Sequence, residues 1–360
     1  RQGRPAECLW LYTSLNDRFR RAIVPEFVAD VPKALGHTLG RQSMFFDFNG
    51  NDIWHYFWAP YVCSRSMWNS DLDVDAAIDE MWLLLFGEEA GAHLREFHRI
   101  LKHNYLENAM TTREEIPQYP VGVIDALDRE LKAARMCLEP GSVEMKRLDL
   151  IADYWPDAFR TQRARAAYVK PGYAVRHFDG EKPDWSQIVT APLRDPLGMD
   201  EAEWPLSLRL AWNEKGLYGR FESELPVRAD AGKDLWNNDS IEFFVAPGKN
   251  AEGEHQFAWD PLGRAYSQRH RILPINQPVE QSWLAPGSFC KPKLASVGWS
   301  ADFFVPFAPL EVGVPDIGDV WSANFVFTGR KGESEVVRGT ALTLGNHHNM
   351  NMFGHIRFER

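Results

Sequence analysis

The sequence predicts a multidomain α+β protein in which a parallel βα segment, a helical bundle and an antiparallel β-sandwich follow one another. Three patterns predict this order. Short apolar runs enclose one helical pattern in residues 1–62, and apolar residues recur at spacings of three and four in residues 63–172. Short alternating segments separated by turn residues fill residues 173–360. We expect these three ranges to be the domains.

Composition excludes several classes of function. The chain has 360 residues, of which 44% are hydrophobic and 25% charged, as expected for a globular protein. The net charge of -10 argues against nucleic acid as a partner, because phosphate binding needs a basic surface. No run of about 18 apolar residues is present, so no membrane span is expected in this chain. The four widely spaced cysteines predict free thiols rather than a zinc site or a disulfide framework.

Residues 1–62 have a βαβ pattern. Apolar runs at 8–12 and 43–48 predict two strands, and residues 23–35 predict a helix between them. Such a unit places its strands parallel, with the helix as the crossover. Two strands are too few to bury a sheet, so we expect further sequence upstream.

Four helices are expected in the middle range. Asp71 and Asp73 are suited to cap a helix that reaches Phe86, and Gly87 is suited to end it. The other helices are expected over residues 92–105, 123–137 and 142–167, the last one bent at Pro156. Short polar loops between them predict a small bundle.

The last range has the pattern of an antiparallel sheet protein. Alternating or β-rich segments recur between turns that are rich in Gly, Pro and Asn. The clearest segments are residues 206–211, 217–222, 240–245, 255–259 and 303–307.

A candidate binding site lies where a polar turn enters one of these strands. Alternation places Ile241 and Phe243 on one face of the strand and Glu242 on the other, and Trp236 lies on the turn six residues earlier. A flat aromatic ring beside a carboxylate suits a sugar, because the C–H face of a sugar packs on a ring while its hydroxyls donate to charged acceptors. The alternative is that Trp236 covers the core and Glu242 is an ordinary exposed strand residue.

The order of motifs in this range resembles the family 9 carbohydrate-binding modules. The matching pieces, in chain order, are FDG at 178–180, LRLAWN at 208–213, GLYG at 216–219, WNNDSIEFF at 236–244, QFAW at 256–259, GWSADFFVPF at 298–307, WSANF at 321–325 and FGHI at 353–356. The resemblance implies a β-sandwich that binds an oligo- or polysaccharide, with structural calcium in some members and no other cofactor.

Several site residues follow from this resemblance. In members that bind glucans, two Trp rings enclose a sugar with help from a Glu and an Arg, which here match Trp236, Glu242 and Arg264. Asn238 is a further candidate contact, although Asn is first a turn former. The second Trp should fall near residues 346–349, where no Trp occurs, so His348 or Phe353 would take its place.

No metal-binding motif is recognisable in the sequence. His347, His348 and His355 have a spacing that fits no known ligand pattern, so we assign no metal ligands.

Residues 1–110 are similar to a bacterial family of unknown function that is thought to carry a glycosidase-like (β/α)8 barrel. The similarity is strongest over RSMWNSDLDVD at 65–75. It implies that residues 1–62 are the last βα units of such a barrel, whose active site lies at the carboxyl ends of the strands. Asp47 lies near the carboxyl end of a predicted strand, Asp52 follows that strand, and both are candidate catalytic carboxylates. An acidic loop without a catalytic role remains an equal alternative.

Together these patterns predict carbohydrate binding by the C-terminal sandwich, as an accessory domain of a glycoside-hydrolase-like protein in carbohydrate catabolism. Whether the chain is itself an enzyme stays open, because one barrel fragment cannot supply the carboxylate pair. A non-catalytic carbohydrate-binding or scaffold protein is the alternative, and a purely structural sandwich is a third reading. We expect a secreted or periplasmic protein, although the chain begins with no segment like a signal peptide.

Overall fold

The chain is a mixed α+β protein with two compact units, Arg1–Ala166 and Ala167–Arg360. The computed structural model describes residues 8–12, 29–30, 33, 43–47, 57–109, 119–200, 203–248, 251, 253–271, 277–280, 285–332, 334–343 and 347–360. Among these residues, no helix is both long enough and apolar enough to cross a bilayer.

The first two strands of the chain lie side by side. Strand β1 (Cys8–Tyr12) pairs in parallel with β2 (Ser43–Asp47), so that Cys8 faces Ser43. The expectation of two parallel strands is therefore confirmed. The side chain of Asp47, the whole of Asp52 and most of the expected crossover helix lie outside the described residues. The barrel stays a prediction.

Five helices follow among the described residues of the same unit. They are α1 (Trp58–Trp68), α2 (Val74–Ala109), α3 (Val121–Met136), α4 (Val143–Ala152) and α5 (Trp155–Ala166). Helix α1 is continuous across residues 62 and 63, where the sequence suggested a domain boundary. Its Trp58 and Val62 are buried, so this helix belongs to the helical core rather than to the preceding strands.

The helix ends follow local chemistry. Asp73 Oδ1 accepts a hydrogen bond from the Ala76 amide at 3.0 Å, as an N-cap does. Gly87 interrupts α2 with a φ of 76°, a conformation that suits glycine. The single helix expected over residues 142–167 is in fact two, α4 and α5. Pro156 explains the break, because it has no amide hydrogen to continue the hydrogen-bond ladder.

Large aromatic rings fill the core of this unit. The rings of Trp58 and Trp82 are 6.1 Å apart, and Trp155 meets Phe97 edge to face at 5.0 Å. His98 is buried against Trp58, and burial lowers its pKa to about 4. Packing of this kind supplies much of the stability of helices in a globular unit.

The second unit is built around one large sheet. Its strands are β3 (Gly172–His177), β4 (Leu206–Asn213), β5 (Gly216–Ser223), β6 (Ser240–Ala246), β7 (Gly253–Trp259), β8 (Ala265–Arg271), β9 (Gln277–Glu280), β10 (Phe289–Leu294), β11 (Trp299–Pro306), β12 (Val320–Lys331), β13 (Ser334–Gly339) and β14 (Gly354–Glu359). Their order across the sheet is β10-β11-β5-β4-β3-β14-β12-β6-β7-β8-β9, and β13 pairs with β12.

The sheet folds back so that its two halves face one another across a single core. Phe221 of β5 stacks on Phe327 of β12 at 5.3 Å, and Phe303 of β11 stacks on Trp259 of β7 at 5.2 Å. This is the sandwich-like arrangement that the sequence predicts. The expectation of a wholly antiparallel sheet is wrong, because β3 pairs in parallel with both β4 and β14.

Candidate functional site

Strand alternation gives one half of the sandwich a polar outer face. Ile241, Phe243 and Val245 of β6 belong to the core, so the residues between them point the other way. The register of β6, β7 and β8 extends this surface over three strands. We define the outer face, the side of these strands that points away from the core, by Ser240, Glu242, Phe244, Glu254, Gln256, Ala258, Tyr266, Gln268 and His270; all of them except Tyr266 are buried.

Trp236 lies at one end of the outer face. It is the central residue of a short 3-10 turn, Leu235–Asn237, whose Leu235 is buried while Trp236 is 49% exposed. Its ring meets Tyr266 edge to face at 5.2 Å. Half of the indole is therefore supported by protein and half faces solvent, which is the geometry of a platform rather than of a core residue.

Glu242 is buried in the middle of this face. It is only 7% exposed and accepts a hydrogen bond from Gln256 Nε2 at 2.7 Å. Burial raises the pKa of Glu242, and the bond from Gln256 opposes this rise. The pKa of Tyr266 is raised by burial and, to a lesser degree, by the negative charge of Glu242. The carboxylate of Glu242 and the hydroxyl of Tyr266 therefore interact electrostatically.

Arg264 holds the turn that carries Trp236. Its Nε donates to Asp260 Oδ2 at 2.7 Å, and its two terminal nitrogens donate to the backbone carbonyls of Lys233 and Asp234. Asp260 is fully buried and also accepts from two backbone amides of its own turn. Most of the donors of Arg264 are thus engaged in fixing the loop.

Asn238 also fixes the backbone of this loop. It is 4% exposed, its Oδ1 accepts from the Asp230 amide at 2.9 Å, and its Nδ2 donates to the Asp230 carbonyl at 3.1 Å. The same Nδ2 lies 3.3 Å from Asp260 Oδ2. These contacts favour a positioning role for Asn238. A direct sugar contact stays a prediction.

His348 lies at the other end of the outer face, and Phe353 packs against Phe244 of the same face. His348 meets Phe244 edge to face at 5.1 Å, and its Nδ1 is 2.5 Å from Glu254 Oε1. Phe353 is fully buried in a small cluster with Phe244 and Val326. Phe353 is therefore a packing residue, and of the two substitutes for a second Trp only His348 is partly exposed.

The structure brings Trp236, Glu242, Arg264, Asn238 and His348 to one side of the sandwich. Sequence reasoning missed Tyr266, Gln256 and His270, which share this side. A signal for Gln256 was present, since Phe257 and Trp259 alternate as core residues and leave Gln256 on the opposite face. Tyr266 and His270 become visible only once the pairing of β7 with β8 is known.

Comparison with known proteins gives matches of structure only. No protein-family model matches the chain, and no curated protein matches it significantly.

Three solved structures similar to this chain come from two organisms. A family 9 carbohydrate-binding module of Caldicellulosiruptor kristjanssonii in complex with cellotriose has 17% identity and a TM-score of 0.39, covering 52% of this chain and 93% of its own. The same kind of module from that organism with glucose has 15% identity and a TM-score of 0.39, covering 52% and 96%. A candidate carbohydrate-binding protein of Bacteroides uniformis has 19% identity and a TM-score of 0.43, covering 53% and 100%. With identities and TM-scores this low, the ligand of this chain has to be inferred from its own site.

Proposed function

We propose that the C-terminal sandwich binds an oligo- or polysaccharide on its outer face. The observation that carries the proposal is the half-exposed Trp236 on Tyr266, whose hydroxyl senses the charge of the buried Glu242 that Gln256 holds by a hydrogen bond. One sugar ring packs its C–H face on the indole, and its hydroxyls reach toward the polar row of the sheet.

The chemistry of this face fits a sugar better than an apolar or an anionic ligand. A carboxylate forms hydrogen bonds with hydroxyl donors that are roughly twice as strong as neutral ones. Burial strengthens such bonds further because the local dielectric is low. An anionic ligand would be repelled by Glu242, which lies on this face without a Lys or Arg in a described ion pair.

Arg264 and Asn238 act as positioning residues in this proposal. Their contacts with Asp260 and with the backbone of residues 230–234 fix the turn on which Trp236 is presented. A rigid platform loses less conformational entropy when a ligand binds, which favours affinity.

The role of the sandwich in the whole protein is part of the same proposal. It would serve as an accessory domain of a glycoside-hydrolase-like protein in carbohydrate catabolism, as the resemblance of residues 1–110 to a barrel family suggests. A non-catalytic carbohydrate-binding or scaffold protein is the alternative. A second catalytic carboxylate facing Asp47 or Asp52 in upstream sequence would favour the enzyme.

A glycan array probed with the full chain tests the binding proposal. We expect binding to a restricted set of glycans, with glucans as the first candidates because of the resemblance to family 9 modules. Trp236→Ala should abolish these signals, since removal of a central aromatic contact weakens binding by about 2 kcal/mol or more.

A matched control is Trp68→Ala, because Trp68 is 94% exposed and belongs to the helical unit. Its array profile should equal that of the unmodified chain. Absence of binding to every glycan, or equal loss in both variants, would contradict the proposal.

A further inference from the structure

A second cluster of polar side chains occupies the end of the outer face opposite Trp236. Glu254 of β7 and His270 of β8 are directly opposed across the two strands. His348 reaches them from the segment before β14, and its ring lies 4.4 Å from that of His270. One carboxylate oxygen and one nitrogen from each imidazole all lie within 4.8 Å of one another.

Two atoms of this cluster are buried without a hydrogen-bond partner among the described residues. They are Glu254 Oε2 and His270 Nδ1. Glu254 is 1% exposed and His270 is 9% exposed. An unpaired carboxylate oxygen in a protein interior is costly, and native structures rarely leave one without a partner or an ion.

The neighbouring amide fixes which nitrogen of His270 is available. Gln256 donates from Nε2 to Glu242, so its Oε1 is the atom that faces His270 Nε2 at 3.3 Å. An oxygen acceptor requires a donor, and His270 therefore carries its proton on Nε2. Its Nδ1 then presents a lone pair to the cluster. Metal-binding histidines are oriented in this way by a partner on the second ring nitrogen.

Two imidazole nitrogens and one carboxylate oxygen form a donor set typical of zinc. Zinc–ligand distances are about 2.0–2.2 Å, so ligands of one ion lie at most about 4 Å apart. The 4.8 Å span of the three atoms needs only a small contraction to reach this. Calcium prefers oxygen ligands throughout and fits the two imidazoles poorly.

We propose that Glu254, His270 and His348 bind a divalent transition-metal ion, with zinc as the expected occupant. The ion completes the coordination of the buried carboxylate and joins the segment of His348 to strands β7 and β8. Three protein ligands leave a fourth position for water or for another ligand oxygen. The site is distinct from Trp236 and does not depend on saccharide binding.

Calorimetric titration of Zn²⁺ into the full chain tests this proposal. The titration uses protein without a polyhistidine tag, from which metal has been removed with a chelator, and no saccharide is added. We expect one ion per chain, and we expect Co²⁺ at the same stoichiometry to give the visible absorption of a four-coordinate site. Failure to bind Zn²⁺ would overturn the proposal.

Two single variants locate the ion. Glu254→Gln keeps the shape of the side chain, and His348→Ala alters a partly exposed one, so both should fold as shown by near-UV circular dichroism. Each should weaken Zn²⁺ binding by at least about 100-fold, since loss of an outer-shell partner alone costs 10–100-fold. The control is His177→Ala, because His177 pairs with Glu214 at 2.9 Å but belongs to no compact cluster of three potential metal ligands among the described residues. Equal affinity in all three variants would mean adventitious surface binding and would overturn the proposal.

Discussion

Two residues of one loop, Trp236 and Asp239, differ sharply in solvent exposure. The indole of Trp236 is half exposed, whereas Asp239 is 2% exposed and accepts a hydrogen bond from the Arg228 amide at its Oδ2. The other oxygen, Oδ1, is buried without a partner among the described residues. Burial consequently raises the pKa of Asp239 to about 6 from the ordinary value of 3.8.

Asp239 should therefore make stability depend on pH. Below pH 3.8 the carboxyl is protonated in both the folded and the unfolded state. Between 3.8 and about 6 only the unfolded state releases the proton, so the free energy of unfolding falls as pH rises through this window. The side chain introduced by Asp239→Asn cannot ionise. The free energy of unfolding of this variant, relative to that of the unmodified chain, should therefore rise by up to about 3 kcal/mol between pH 4 and pH 7.

Urea unfolding at several pH values measures this difference. The exposed Asp179, changed to Asn, is the matched control, and its effect should stay within about 0.5 kcal/mol. A stability difference for Asp239→Asn that does not change with pH would contradict the assignment.

At this scale the sequence predicts which side of a strand a residue faces but not how deeply it is buried. Alternation around Ile241 and Phe243 correctly placed Glu242 on the opposite face. Its burial depends on Gln256 and on the segment of His348, which come from other parts of the chain. Such neighbours are set by tertiary packing, and local pattern carries no information about them.

At the scale of elements, the turn between β10 and β11 depends on a single glycine. Gly298 has a φ of +82°, and a Cβ there would lie 1.8 Å from the Ser223 carbonyl oxygen. Both the backbone conformation and the contact with β5 exclude a side chain. We expect Gly298→Ala to lower the free energy of unfolding by more than about 3 kcal/mol. The alanine would be strained in the left-handed conformation, and its Cβ would push the backbone of Ser223 away.

Gly313→Ala is the control for this substitution, because Gly313 lacks a positive φ and a Cβ there would meet nothing within 4 Å. It should change stability by less than about 1 kcal/mol. Thermal unfolding of the two variants side by side gives the comparison. Equal midpoints would show that the turn tolerates a side chain.

Helix ends were readable from sequence where a single residue determines them. Gly87 and Asp73 behave as their chemistry predicts. Pro156 was expected to bend a helix and instead separates α4 from α5, because it cannot donate the hydrogen bond that would continue one helix into the next. Helix α1 was missed since its apolar residues show no clear helical period at the level of sequence.

At the scale of the whole molecule, β3 connects the two halves of the sheet. It pairs with β14 over five positions, from Gly172 opposite His355 to Arg176 opposite Glu359, and with β4 over two. The fragment 167–360 contains every strand of this sheet and should fold and bind the same glycans as the full chain.

The fragment 178–360 lacks β3 and serves as the control. Its β4 and β14 would each lose a hydrogen-bonded neighbour, so it should aggregate or unfold non-cooperatively. Circular dichroism and thermal unfolding of both fragments check this. A folded, cooperative 178–360 would show that β3 is dispensable.

The sequence predicts the sandwich-like unit but not its strand order. Local alternation identifies strands such as β4, β5 and β6 within one or two residues. The parallel pairing of Tyr173 with Ile356 joins residues at opposite ends of the unit, and no local pattern encodes such a contact.

Calorimetric titration of Trp236→Ala with a glycan selected on the array, together with urea unfolding of the same sample, tests the central claim most directly. If Trp236 is a binding platform, affinity falls by roughly 30-fold or more, while the free energy of unfolding changes by less than about 1 kcal/mol. A loss of stability of about 3–5 kcal/mol, as for a core aromatic, or an unchanged affinity would contradict it.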